Sequence, residues 1–296
     1  MSKLITPKVS VIIVNYNTAD FISICIESLK KQTQIPIEII VVDNASTDQS
    51  IEVLESVKIN NFKLIKSSEN IGFGRANNLA AKSATGDFLL LLNPDTTLDS
   101  PTTIIDLVNY YDQNSFGLLA PLINEPRKSK FVLPKYKYPG QKYAIFTRFN
   151  HLPGKIAWVL GACILLKKHI YDELDGFDPD FFLYGEDVDL CLRARKLGYQ
   201  IGFEADIQIS HIGGASEFKS ENLDKWIRKR RGGFLFLKKH YHKLDLRISY
   251  IKLFISALIG ISTNKSKKIF NLGDLEKCND KIQRHSATLK CLNELL

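Results

Sequence analysis

Cysteine is sparse and scattered in this chain. Cys25, Cys163, Cys191, Cys278 and Cys291 stand far apart with no CxxC pair, which argues against a disulfide framework and for a reducing cytosol. The N-terminus MSKLITPK lacks the apolar core of a secretory signal. No clean apolar run reaches the roughly 20 residues needed to cross a bilayer. The nearest, Leu244 to Ser262, is interrupted by Asp245, Arg247 and Lys252. A dinucleotide fingerprint is missing too. Asn70 to Asn78 (NIGFGRANN) holds a GxG without the later glycine or the following ribose-binding acid, which counts against a dinucleotide oxidoreductase. Repeats and low-complexity tracts are absent.

What is present is ordinary globular material. The 296 residues are 45% hydrophobic and 24% charged, which excludes a largely disordered or fibrous chain and fits one large domain with an appendage. The formal charge of +8 is unevenly spread. Lys225 to Lys243 carries eight Lys or Arg and no acid, and Pro126 to Tyr171 carries ten and no acid. Asp172 to Asp189 holds eight acids and no Lys or Arg. Such segregation points to phosphates or an anionic surface near the basic stretches and to cations or acid–base chemistry near the acidic one; solvated charged faces are the alternative.

The apolar pattern sets the architecture. Val9 to Val14 and Ile37 to Val42 are continuous β-branched runs, as strands buried on both faces require, with a helical pattern over 19–31 between them. A helix over 51–57, strands at 62–65 and 88–92, and a helix over 74–83 continue the alternation. The result is an α/β fold with a mostly parallel sheet, helices on both faces, and ligands at the carboxyl ends of the strands. Beyond Asn93 the expected order is a helix over 102–112, a Pro- and Lys-rich loop region from Pro121 to Gly154, a strand near 159–166, a helix over 187–197, and strand-like runs at 199–203 and 207–210. From Glu217 onward the chain reads as helical, basic and then apolar. Trp226, Phe234, Phe236 and the cluster Arg228 to Arg231 place that tail either in an anionic headgroup region or packed on the domain.

Polar residues at strand ends are the candidate chemistry. Asp43, in VVDNASTDQS, is placed either to accept a hydrogen bond from a pyrimidine ring N–H or to cap a helix. Asn93-Pro94-Asp95 offers a carboxylate for a hard divalent cation on a diphosphate, or a simple Pro-Asp turn. The Gly72/Gly74 pair allows close backbone approach to a nucleotide, with Arg75, Asn77 and Asn78 available to polar groups. Glu186 and Asp187 follow the aromatic run Phe181 to Tyr184. Crowded carboxylates there leave one able to take a proton near neutral pH. His211, at a strand end before Gly213-Gly214, is either structural or a metal ligand.

Five motifs in order, VSVIIVNYN, VVDNASTDQS, NIGFGRANN, LLLNPDTTL and GFDPDFFLYGEDVDLCLRARKLGYQ, resemble the family-2 inverting glycosyltransferases of the GT-A fold. The similarity is greatest to the bacterial rhamnosyltransferase-like branch and covers roughly residues 8–215. It implies a GT-A transferase domain over 1–216 and a helical, basic, membrane-associating region over 217–296. Asn15 and Asn17 then line the nucleotide pocket with Tyr16 near the base, and Asp43 reads the pyrimidine. Asn93-Pro94-Asp95 takes the place of the DXD metal motif, its first Asp replaced by Asn. Asp95 is the principal ligand of Mg²⁺ or Mn²⁺, with His211 as the late metal-binding His. Asp187 is the general base and Glu186 its support or an acceptor contact. The implied activity is transfer of L-rhamnose from dTDP-rhamnose to a lipid-linked or polysaccharide acceptor in cell-surface glycan synthesis, at the inner face of the cell membrane. A UDP-hexose donor (galactose, glucose or galactofuranose) is the alternative within the class. A basic nucleic-acid-binding α/β protein is the alternative outside it, although the resemblance implies no nucleic-acid partner.

Overall fold

The computed structural model describes residues 8–214, 222–270, 272 and 274–296. These divide into two compact units. The first comprises Met1–Tyr136, Leu152–Phe182 and Glu186–Phe218; the second comprises Lys137–His151, Leu183–Gly185 and Lys219–Leu296. The boundary expected at 216/217 lies outside the described residues.

The first unit begins with parallel strands β1 (Val9–Asn15), β2 (Ile37–Asp43), β3 (Phe62–Lys66) and β4 (Phe88–Leu92). They are connected through α1 (Ala19–Lys30), α2 (Ser50–Glu55) and α3 (Phe73–Ala81). Every residue of β1 is buried, and alternation decides where each goes. Val9, Val11 and Ile13 pack with Ile22, Cys25, Ile26 and Leu29 of α1, whereas Ile12 and Val14 pack with Ala76 and Ala80 of α3. A strand covered on both faces has no reason to alternate apolar with polar residues, which is why it reads as an unbroken apolar run. The β1–β2 register, Val9↔Ile37 to Asn15↔Asp43, brings two polar strand ends side by side.

The rest of the unit contributes β5 (Thr96–Leu98), α4 (Thr103–Asn114), β6 (Leu118–Glu125), β7 (Lys130–Val132), β8 (Cys163–Lys167), α5 (Lys168–Glu173), α6 (Glu186–Lys196) and β9 (Ile201–His211). Among the described residues the sheet order is β3-β2-β1-β4-β8-β6-β9-β5, with β7 beside β6. β8 runs antiparallel to β4, β6 is parallel to β9, and β5 is antiparallel to β9, so the sheet is mixed beyond β4.

Two expectations are corrected here. The region from Pro121 to Gly154 is not all loop, because β6 runs through Pro121 and β7 follows it. A proline lacks the N–H a ladder needs, and the structure meets this with a register shift at Pro121/Leu122, where the β9 partner jumps from Glu204 to Gln208. The same irregularity explains why 199–203 and 207–210 read as separate runs. They are the two halves of β9, joined through exposed Ala205 and Asp206.

The second unit is helical, with no strand among its described residues: α7 (Asn222–His240), α8 (Lys243–Ile269) and α9 (Leu275–Cys291). Tyr138, Phe149, Phe236 and Tyr241 form an aromatic cluster. Asp245, fully buried, accepts from the amides of Ile145, Phe146 and Thr147 at 2.7, 3.1 and 2.7 Å. Although burial pushes its carboxyl up, these bonds hold it below the usual range. Phe234 and Phe236, for which a headgroup or a packed position was open, are buried. Trp226 donates to Asp280, with Lys229 and Arg284 over its ring.

Candidate functional site

The ends of β1 and β2 form one hydrogen-bonded knot. Asn15 is fully buried; its Nδ2 donates to Asp43 Oδ2 at 2.8 Å and to Ser46 Oγ at 3.1 Å, and its Oδ1 accepts from Thr18 at 2.5 Å. With its amide engaged at both ends, Asn15 orients Asp43. Asp43 also accepts from the Ser46 hydroxyl at 2.7 Å on Oδ2 and from the Ser46 amide at 2.9 Å on Oδ1. A carboxylate has about four acceptor positions, so Oδ1 keeps capacity for another donor. Asn17, at φ 52, accepts from the Thr47 amide at 2.7 Å and so ties the β1 loop to the β2 loop. Tyr16 stands half-buried between Asn15 and Asn17.

The β3–α3 loop explains its glycines without a nucleotide. Gly72 has φ +88, and a Cβ there would meet Phe182 O at 2.7 Å; at Gly74 it would meet Phe177 Cβ at 3.0 Å. The close neighbour at each glycine is therefore the acidic segment of the protein itself. Arg75 is exposed and donates to the Pro179 carbonyl at 2.8 Å. Asn77 is buried and bonds back to Phe73 O at 2.9 Å. Asn78 brackets Phe177 through both amide and carbonyl. The polar residues of α3 thus anchor the segment that leads to Glu186.

At the end of β4, Asn93, Asp95 and His211 come together. The β5–β9 pairing sets Thr96 opposite His211, and the His211 Nε2 lies 3.2 Å from Asp95 Oδ1 and 3.3 Å from Asn93 Nδ2. Asp95 and His211 are both buried, and Asp95 Oδ2 accepts from the Gly213 amide at 3.0 Å. Glu125, buried at the end of β6, was not visible as a site residue. It lies 3.9 Å from His211 Nδ1 and is gripped by Lys128 and Lys130. Among the described residues no group of three or more His, Cys, Asp or Glu is arranged to hold a metal ion. The pair nevertheless suits a divalent cation that takes its other ligands from phosphate and water. Adjacent ligands of an octahedral ion at about 2.1 Å stand about 3.0 Å apart, close to the observed Asp95–His211 spacing. His211 Nδ1 is buried without a hydrogen-bond partner, with Glu125 Oε1 3.9 Å away.

Glu186 and Asp187 open α6, where the helix dipole favours negative charge. Asp187 Oδ2 accepts from the Gly161 amide at 3.1 Å and Oδ1 from its neighbour Val188 at 2.8 Å. Burial raises the Asp187 carboxyl while these amides oppose the rise. Glu186 has less such help, from its own backbone amide. It is buried, its Oε2 has no hydrogen-bond partner, and burial followed by the Asp187 charge pushes it up to about 8. Burial raises both carboxyls, and the Asp187 charge adds to the rise at Glu186, so Glu186 is the member of the pair that holds its proton more tightly. The segment bonded to Asp187 also reaches the Asn93–Asp95–His211 group, because Ala162 O accepts from the Asn93 amide at 2.9 Å.

A mixed α/β sheet with polar clusters at its strand ends is the fold of GT-A nucleotide-sugar transferases. The mannosyltransferase PcManGT from Pyrobaculum calidifontis, solved in complex with GDP-Man and Mn²⁺, superposes with a TM-score of 0.64 at 17% identity, over 98% of this chain and 88% of that one. By sequence, residues 10–175 match Glycosyl transferase family 2, and 136–264 match Glycosyl transferase family group 2. The chain belongs to glycosyl transferase family 2. It is 28% identical over 225 residues to the O-antigen biosynthesis protein RfbC of Myxococcus xanthus, a match covering 71% of this chain and only 18% of that protein. It is 24% identical over 238 residues to the N-acetylglucosaminyl-diphospho-decaprenol L-rhamnosyltransferase of Mycobacterium tuberculosis, covering 70% of this chain and 76% of the other.

Proposed function

We propose that the protein is an inverting, metal-assisted glycosyltransferase that moves L-rhamnose from dTDP-rhamnose to a lipid-linked or polysaccharide acceptor in cell-surface glycan synthesis, working peripherally at the inner face of the cell membrane. The observation that carries the reading is the segment Gly161–Ala162, bonded on one side to Asp187 and on the other to Asn93. Consecutive peptide units are about 3.8 Å apart, so one short piece of backbone is bonded both to Asp187 of the acid–base pair and to Asn93, two residues before Asp95 of the cation-suited pair. The name of the mycobacterial relative supports rhamnose as the sugar and a lipid diphosphate as the acceptor.

In this mechanism Asp187 accepts the proton of an acceptor hydroxyl while that oxygen bonds to the anomeric carbon from the face opposite the leaving group. The bond from that carbon to the diphosphate breaks, and its electron pair leaves with the nucleoside diphosphate. Configuration inverts. Glu186, protonated, adds no second negative charge to the approach of the acceptor. Asp95 and His211 would hold Mg²⁺ or Mn²⁺, which supplies charge neutralisation at the departing diphosphate. Asp43, fixed by Asn15 and Ser46, offers its remaining Oδ1 position to the base, with Tyr16 and Asn17 beside it.

The deciding assay is a panel of sugar nucleotides incubated with Mn²⁺ or Mg²⁺ and read as donor hydrolysis and transfer. Preference for dTDP-rhamnose is expected. Preference for UDP-galactose, UDP-glucose or UDP-galactofuranose would replace the sugar while keeping the class. Salt-sensitive polynucleotide binding with no sugar-nucleotide turnover would overturn the class.

A further inference from the structure

Helix α8 is built inside out. Its buried residues are Asp245, Leu246, Ser249, Ala257 and Asn264, mostly small or polar. Its large apolar residues face outward: Ile251, Phe254, Ile255, Leu258 and Ile259 are 58, 42, 50, 47 and 58% exposed. Their spacing is i, i+3, i+4, i+7, i+8, so they form one continuous stripe on the helix. A helix packed on a water-soluble body presents the opposite arrangement. The inner face is narrow for a stated reason: α9 crosses so near Gly260 that a Cβ there would lie 2.2 Å from His285 Nε2, which leaves room only for small side chains. Ile145 and Phe146, whose amides bond Asp245 at the start of α8, are exposed as well.

Charge decides what the stripe faces. α8 carries Lys243, Arg247 and Lys252 toward one end and Lys265, Lys267 and Lys268 toward the other, all exposed. Its single acid, Asp245, is buried and bonded to backbone amides. Arg247 lies one turn before Ile251, and Lys265 lies seven residues beyond Leu258, so cations continue the line of the stripe at both ends. A second copy of the chain is a poor occupant. Paired parallel, like ends meet; paired antiparallel, Lys243 and Arg247 meet Lys265, Lys267 and Lys268; each brings cations against cations. An anionic phospholipid surface accepts both features, the apolar centre at the acyl boundary and the cations among the phosphates. The apolar centre, residues 251–259, spans about 12 Å of helix axis. That is too short to cross, and no described helix is long and apolar enough to span a membrane.

We infer that α8 lies flat on an anionic lipid surface through Ile251, Phe254, Ile255, Leu258 and Ile259, with the flanking Lys and Arg on lipid phosphates. The inference rests on the proposed work at a membrane and names the surface that makes it. Phe234 and Phe236 are buried, and Trp226 is half-buried against Asp280, Lys229 and Arg284, so none belongs to this stripe.

The test is co-sedimentation of the full chain with phosphatidylglycerol/phosphatidylcholine vesicles and with phosphatidylcholine alone. The wild type is expected on the anionic vesicles. The triple variant Ile251→Ser/Phe254→Ser/Leu258→Ser should lose roughly tenfold or more in bound fraction while keeping its thermal midpoint, because the positions are exposed. Lys265→Glu/Lys267→Glu/Lys268→Glu should lose binding to the anionic vesicles as well. Wild-type-like binding by the serine variant would overturn this inference and leave the membrane reading intact. No wild-type binding to any vesicle would overturn both. A wild-type dimer that becomes monomeric in the serine variant, by light scattering, would give the stripe to a second copy and overturn the lipid assignment.

Discussion

Asp187 and Asn93 are tied to consecutive residues of one segment, Asp187 through the Gly161 amide and Asn93 through the Ala162 carbonyl. Motifs far apart in sequence, NPD and ED, therefore share one local frame. β8 begins at the next residue, Cys163, which pairs with Leu92 at the end of β4, so the segment is fixed by the sheet on both sides. A Cβ at Gly161 would lie 3.1 Å from the Asp187 Cβ, so a larger residue there would push on the Asp187 side chain.

Removing either half of the cation-suited pair should weaken donor binding only when metal is present. Asp95→Ala and His211→Ala should each reduce Mn²⁺-dependent donor affinity by about 10–100-fold. The double variant should lose less than the product, because both act on one ion. Calorimetric titration with and without Mn²⁺ reads this. Intact Mn²⁺ stimulation in Asp95→Ala would move the ligand elsewhere.

Glu186→Gln should change how stability depends on pH. The folded pKa is raised above the unfolded one, so the native protein holds this proton while the unfolded chain releases it. Stability from this group is thus complete below the unfolded value near 4.5 and is lost as pH rises toward about 8. Gln keeps a neutral group at every pH. The variant should match the wild type near pH 4 and exceed it by on the order of 4 kcal/mol at pH 8, measured by urea unfolding. An equal difference at both pH values would contradict the assignment.

Asn15→Ala should lower both stability and donor affinity without altering metal dependence. It removes the buried donor to Asp43 and leaves the Thr18 hydroxyl without its acceptor, costing about 1–3 kcal/mol. Denaturant unfolding and donor titration check the two parts. Donor affinity unchanged in a destabilised variant would separate Asp43 from the base.

Gly72→Ala should destabilise by about 1–3 kcal/mol, since the residue needs φ +88 and its added Cβ would meet Phe182 O. Thermal unfolding reads it. A neutral effect would show that the 181–182 turn gives way.

The parallel half of the fold was legible because strands buried on both faces leave unbroken apolar runs that end in polar residues. β6 was hidden by Pro121, and β9 was split by exposed residues opposite it. The site followed the same division. Asp95, His211, Glu186 and Asp187 stand out by residue type and position, but their relations come from the β5–β9 pairing and the 161–162 segment, which no local pattern records. Glu125 was missed because it ends the strand that Pro121 concealed. The inward role of Asn15, the packing of Phe182 on Gly72 and the burial of Phe234 and Phe236 are tertiary outcomes that composition and spacing do not encode.

The most direct measurement is donor titration and turnover side by side on Asp187→Asn. The isosteric amide cannot accept the acceptor's proton but keeps the shape of the side chain against Gly161. Turnover should fall by at least about 10²–10⁴-fold with donor affinity preserved. Equal loss of donor binding and turnover would contradict Asp187 as the base.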